Sequence, residues 1–240
     1  MALGQKSQWD CKRREVVIDA DGVTLEGSMA LPRDAQGLVL FAHGSGSSRH
    51  SPRNRHVAQM LQSQRIGTLL FDLLTHWEES ADQYSGEFRF DIALLAKRLV
   101  GATRWVKSST DTSDLSVGYF GASTGAGAAL VAAAELPGIV SAIVSRGGRP
   151  DLAGSALALV RAPTLLIVGG DDGPVIRMNR EALARLNCSD KKLVIIPGAT
   201  HLFEEPGKLE EVARVASEWF TLHFDSAKKA QVQGVSAGGS

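Results

Sequence analysis

The run Gly121-Ala122-Ser123-Thr124-Gly125 constrains this chain more than any other segment. It follows a short apolar stretch, Leu115-Ser116-Val117-Gly118-Tyr119-Phe120, and leads into the small residues of 126–134. The pattern is a strand, a sharp turn carrying a serine, and a helix. Such a turn strains the serine backbone and stands its hydroxyl clear of the sheet edge. The flanking glycines leave room where a side chain would strike the neighbouring strand or helix. A chain rich in glycine and serine can produce the pentapeptide by chance, so its meaning depends on what surrounds it.

What surrounds it is an alternation of strand and helix. Residues 14–20 and 23–31 read as strands around Asp21-Gly22, a hairpin turn signal. Strand 38–42, helix 53–64 and strand 68–73 follow. Helix 91–106 lines Ile92, Leu95, Ala96, Leu99, Ala102 and Val106 along one face. After the elbow come strands 139–144, 164–168 and 193–196, helix 175–186, and an amphipathic helix over 209–222. This pattern predicts the α/β class: an eight-stranded, mostly parallel sheet with helices on both faces. The expected organisation is an N-terminal arm over 1–13, a single domain over 14–224, and a disordered polar tail over 225–240. Only residues 145–162 separate two successive strands, too few for a large cap domain. The longest irregular stretch is 74–90, which carries His76, Trp77, Tyr84, Phe88 and Phe90.

Charge and composition narrow the partners. Among the 240 residues, Lys+Arg and Asp+Glu balance at 26 each. No net field attracts nucleic acid or an anionic membrane. No apolar run reaches the length of a membrane span, and residues 1–14 carry no apolar core of signal-peptide length. Cys11 and Cys188 lack the spacing of a metal site, and a disulfide between them is not expected. A cytoplasmic monomer or homodimer, acting on a small molecule without nucleic acid or membrane, is the expectation.

In open parallel sheets the working residues sit on loops beyond the carboxyl ends of strands. Ser123, the segment Gly169-Gly170-Asp171-Asp172-Gly173 and the segment Gly198-Ala199-Thr200-His201 all fall there. The chain order Ser, Asp, His differs from that of chymotrypsin and of subtilisin. His201 is the candidate general base, because its pKa near neutrality lets it take and return a proton. Asp171 and Asp172 compete for the acid that holds the imidazole. The loop His43-Gly44-Ser45-Gly46-Ser47-Ser48 follows another strand. A tetrahedral oxyanion needs backbone N–H donors, and Thr124 and Ser45 are the candidates for them. His43 reads as a residue that shapes the loop. No lysine or G-x-G-x-x-G spacing supports a phosphate loop here.

These residues resemble the α/β-hydrolases, and more narrowly their dienelactone-hydrolase-like branch. The resemblance rests on Ala42-His43-Gly44-Ser45-Gly46, on residues 121–125 and 168–175, and on Gly198-Ala199-Thr200-His201-Leu202-Phe203. It spans roughly residues 14–222. It implies an α/β-hydrolase fold and a nucleophile–acid–base set of Ser123, Asp172 and His201. Asp172 is favoured over Asp171 by the Gly-Gly-x step before it and the apolar helix start, Val175-Ile176, after it. Dienelactone hydrolase itself uses a cysteine where this chain has Ser123, so the resemblance implies serine esterase chemistry. Some relatives are fused to phosphoribosyltransferase domains; this chain shows no phosphoribosyl-diphosphate loop.

The expected activity is cleavage of carboxylic esters of small substrates through an acyl-enzyme, with no metal or organic cofactor. A thioesterase, amidase or acyltransferase would use the same groups. A non-catalytic binding protein of this fold would usually lack one of them. Segment 74–90, with His76, is a candidate flap over the acyl pocket. Arg49, Arg53, Arg55, Arg146 and Arg149 lie near the expected rim. Arg146 sits at a carboxyl strand end, where a guanidinium can pair with an anionic substrate group.

Overall fold

The apolar runs that read as strands form one sheet. The computed structural model describes residues 11–237, with side chains described through residue 227. β1 (Cys11–Asp19) and β2 (Thr24–Pro32) pair antiparallel as the expected hairpin. The chain continues through β3 (Gly37–Ala42), α1 (Pro52–Ser63), β4 (Ile66–Phe71), α2 (His76–Ser85) and α3 (Ile92–Ser108). Then come β5 (Ser116–Ala122), α4 (Thr124–Glu135), β6 (Val140–Arg146) and β7 (Thr164–Gly169). α5 (Gly173–Arg185), β8 (Lys191–Ile196) and α6 (Lys208–Ala237) complete the order. β3, β4, β5 and β7 are buried at every position. A strand covered on both faces has no reason to alternate polar and apolar residues, hence the unbroken runs.

The eight strands lie in the order β1-β2-β4-β3-β5-β6-β7-β8. β2 runs antiparallel to β4, and the strands from β4 to β8 run parallel. From β3 the chain first moves out to β4, then returns past β3 to build β5 through β8. The carboxyl ends of β3 and β5 therefore meet where the winding reverses. Open α/β sheets leave their crevice at that place, and it is where residues 43–48 and Ser123 lie.

Successive side chains of a strand point to opposite faces, so β3 feeds two cores. Leu38 and Leu40 join Leu95, Leu99, Val106 and Leu130 beneath α3 and α4. Val39 and Phe41 join Val57, Leu61, Val212 and Phe220 beneath α1 and α6. The small residues of α4, among them Ala126, Ala128, Ala129 and Ala132, are fully buried and let that helix lie close to the sheet.

Three expectations are corrected. Segment 74–90 is not irregular: it forms α2 and a 3-10 turn, Phe88–Phe90. Thr75 and Glu78 make a reciprocal capping box at the start of α2, and Gly86 closes it in the left-handed conformation at φ 67°. Only two of the helix's residues are buried, so no apolar stripe announced it. The tail expected to be disordered continues α6 as helix to Ala237. Its Ala, Lys and Gln residues propagate a helix already nucleated by docking. Residues 11–13, assigned to the arm, belong to β1; residues 1–10 and 238–240 lie outside the described residues.

No cap domain is inserted between β6 and β7. That connection holds only short 3-10 turns over Pro150–Leu159, broken at Gly154 and packed on α4 and α5. Among the described residues no helix is long and apolar enough to cross a membrane.

Candidate active site

Ser123 occupies the junction between β5 and α4 with φ 50° and ψ −122°. An L-residue adopts that conformation only under strain. The fold holds it with backbone bonds: Ser123 N–H donates to Arg146 O at 3.3 Å, and Ser123 O accepts from Ala126 at 3.1 Å and from Arg149 at 3.0 Å. The flanking glycines are sterically required. A Cβ on Gly121 would lie 2.5 Å from Ala126 Cα, and one on Gly125 would overlap the carbonyl oxygens of Ala42 and His43. Gly44 must also stay small, since a Cβ there would sit 3.1 Å from Ser123 Cβ. The elbow is thus pressed against the end of β3.

His201 follows β8 and Asp172 follows β7, and the structure brings them together. His201 Nδ1 lies 2.7 Å from Asp172 Oδ2. A carboxylate only accepts, so Nδ1 carries the hydrogen, and in the neutral ring that leaves Nε2 as the acceptor. Asp172 is mostly buried while the His201 ring is 40% exposed, so the pair offers one open face. Asp171 is exposed, and its backbone N–H donates to Ala199 O at 3.0 Å. Of the two competing aspartates, the ring's partner is Asp172. Although Asp172 stands at the N-cap of α5, its side chain makes no cap bond; the histidine takes it instead. Gly147 lies directly under His201, since a Cβ there would come within 3.6 Å of His201 Cε1.

On the 43–48 loop, His43 is buried, with Nε2 accepting Leu73 N–H at 3.1 Å and Nδ1 lying 3.0 Å from Gly44 O. Those partners define a neutral ring protonated at Nδ1. Burial lowers its pKa despite the Gly44 bond and the nearby Asp72 and Glu79. Such a ring ties the loop to the end of β4, the shaping role expected of it. Ser45 N–H donates to Thr124 Oγ1 at 2.9 Å. Thr124 is the first residue of α4, so its own N–H has no intrahelical acceptor. The two candidate donors are therefore linked through the threonine hydroxyl, a contact that no sequence signal marked.

A cavity of about 270 Å³ opens between this loop and α2, lined by residues 43–47, Leu74, Glu79, Asp82, Gln83, Arg89 and Leu95. Ser123 is not in its wall. The α2 side is fixed rather than loose. Arg98 and Glu78 form a buried ion pair at 2.6 Å, and the Asp82 carboxylate accepts Phe88 N–H at 2.7 Å and Arg89 N–H at 3.0 Å. His76, expected near the substrate, is exposed at the start of α2 and does not line the cavity. Trp77, Tyr84 and Phe90 are also exposed and do not line the cavity; Trp77 packs edge-on against Phe88, with ring centroids 6.2 Å apart, and ties α2 to the turn after it.

The rim arginines separate by partner. Arg49 pairs with Asp72 and with Glu26, Arg53 with Glu204 at 2.8 Å, and Arg149 with Asp151 at 2.7 Å. Arg55 bonds to His50 at 2.7 Å. Arg146 alone among them is buried without an anionic partner among the described residues.

Sheet order, elbow and the loops beyond β3, β7 and β8 define the α/β-hydrolase fold. No family model matches the chain. It is 60% identical to the crystal structure of a dienelactone hydrolase from Anabaena variabilis, covering 89% of this chain and 98% of that one, with a TM-score of 0.87. The chain therefore belongs to the α/β-hydrolases, in their dienelactone-hydrolase-like branch. Est1E from Butyrivibrio proteoclasticus shares the fold at 18% identity, covering 88% of this chain and 99% of that one, with a TM-score of 0.72. A Mycobacterium tuberculosis protein called "Putative phosphoribosyl transferase" is 55% identical over 212 residues, 88% of this chain and 46% of that one. The chain spans about half the length of the curated relatives it matches so strongly.

Proposed function

We propose that the protein is a serine hydrolase that cleaves carboxylic esters of small substrates through an acyl-enzyme. The observation that carries this reading is the Asp172–His201 hydrogen bond of 2.7 Å, on loops that flank a strained serine elbow. Asp172 fixes the tautomer that leaves His201 Nε2 free to accept a proton. Ser123 Oγ attacks the ester carbonyl as its proton passes to Nε2. The carbonyl oxygen becomes an oxyanion, held by the N–H groups of Thr124 and Ser45. For Ser45 this means exchanging Thr124 Oγ1 for the substrate oxygen. The imidazolium then gives its proton to the departing alcohol and leaves the acyl group on Ser123. Water repeats the sequence and releases the acid. A lactone is an internal ester, so the name of the Anabaena variabilis relative fits the same acyl chemistry.

Replacement of Ser123 tests the assignment. Ser123→Ala should lower turnover of p-nitrophenyl butyrate by at least about a thousandfold and abolish labelling by a fluorophosphonate, with the melting temperature little changed. Labelling that persists in the variant would overturn the role of Ser123.

A further inference from the structure

Arg146 ends β6 in register with Ala122, and its carbonyl receives the Ser123 N–H. Its side chain runs toward α1, where Nη2 lies 3.5 Å from Asn54 Oδ1. The residue is 7% exposed. Its Nε and Nη1 are buried and make no hydrogen bond. Arg53, beside Asn54 on the first turn of α1, also leaves its Nε buried and unsatisfied. That turn contains no acidic residue and presents the positive end of the helix. Burial, and then repulsion from Arg53, push the Arg146 pKa down to about 10, which still leaves it charged at neutral pH. Glu204, a 62%-exposed carboxylate on the loop just after His201, pairs with Arg53.

Buried guanidinium groups are otherwise matched to carboxylates, because an uncompensated charge away from water is costly. A buried water can meet an N–H group but offsets the charge far less than a carboxylate would. An uncompensated guanidinium kept at this cost, on a residue whose backbone carbonyl accepts the Ser123 N–H and whose chain neighbour is the glycine under His201, fits an anion delivered with the substrate. We propose that Arg146, Arg53 and the first turn of α1 form an anion subsite for a carboxylate or phosphate-type group carried by the ester substrate, a proposal that rests on Ser123 as the nucleophile. The planar fork of Arg146 suits either group. Glu204 holds Arg53 until the substrate anion displaces it.

The test compares p-nitrophenyl esters whose acyl chains end in methyl, carboxylate or phosphonate. The wild type should favour one of the anionic esters, and which one identifies the group. Arg146→Gln should reduce kcat/KM for that ester about thirtyfold more than for the methyl-ended one. Glu204→Gln, which removes the competing carboxylate, should raise kcat/KM for the anionic ester several-fold, and this arm stands if the buried variant folds poorly. Equal losses on all three esters, or no anionic preference in the wild type, would overturn the subsite. Melting curves with glutarate and with inorganic phosphate, at matched ionic strength, read binding without turnover. One of these anions should raise the melting temperature of the wild type and not that of Arg146→Gln. Hydrolysis without any such rise would sink the subsite and leave the serine mechanism standing. A rise without hydrolysis would do the reverse.

Discussion

Arg98 and Arg146 are both buried arginines, and the fold treats them in opposite ways. Arg98, on α3, meets Glu78 of α2 at 2.6 Å, and Glu78 is further bonded to the backbone of Thr75. Burial works against the Glu78 carboxylate, but the bonds from Thr75 and Arg98 win and hold its pKa below the ordinary value. Arg146 has one long bond to an amide oxygen and no carboxylate. The first arrangement meets its charge with a carboxylate, although Arg98 Nε makes no hydrogen bond, and it fastens α2 beside the 43–48 loop. The second has no counter-charge among the described residues, and its backbone carbonyl holds the serine elbow. A buried charge matched by a carboxylate reports on architecture; one left without a counter-charge calls for an explanation, which the proposed subsite would supply.

The largest effect expected from this contrast is on stability. Arg98→Met leaves Glu78 buried without its counter-charge and should cost about 3–5 kcal/mol, read from urea unfolding. A loss below about 1 kcal/mol would mean that the pair behaves as a surface bridge and that α2 is not pinned. Arg146→Met should do the opposite. Without ligand, replacing an uncompensated buried charge by an apolar chain of similar length should raise stability by about 1–3 kcal/mol. Marked destabilisation in the same unfolding assay would assign Arg146 a structural role and erase the contrast.

His43 shows a third way of burying a basic group, which is to keep it neutral. Its pKa is depressed below the ordinary 6.5. Below that value the unfolded chain takes up a proton that the native ring refuses, so stability that is full above pH 6.5 falls as pH drops. One such group contributes a slope of at most about 1.4 kcal/mol per pH unit. His223, depressed by burial against the pull of Asp190, adds a slope of the same sign. The difference between wild type and His43→Gln isolates the first. Identical acid dependence in the two would show that His43 is not held neutral by the fold. The smallest effect belongs to Thr124→Val, which removes the hydroxyl that receives Ser45 N–H. It should lower kcat by about threefold to tenfold at similar KM, less than loss of an oxyanion donor itself. An unchanged kcat would show that the linkage does not orient the Ser45 loop.

Much of the fold was legible in the residues. The fully buried strands β3, β4, β5 and β7 announced themselves as apolar runs, and α3 as a periodic face, because burial on a repeating lattice imposes a repeating composition. The elbow was legible because its glycines answer a local steric demand between β5, α4 and the end of β3. α2 was missed, since its stability comes from a capping box at Thr75 and Glu78 and from one buried ion pair rather than from an apolar stripe. The tail was missed because a polar segment can extend a helix that another part of the chain has already anchored.

The sequence by itself determined the chemistry on offer: a serine between obligatory glycines, a histidine and two aspartates at strand ends, in an order that an open parallel sheet can gather. Those properties follow from local sterics and from pattern. Only the tertiary structure decided which aspartate meets the histidine, that His76 stays outside the cavity, and that Arg146 is buried without a counter-charge. Pairing and burial are relations between residues far apart in the chain. They exist only once the sheet has brought β6, α1 and the loop after β8 to the same edge.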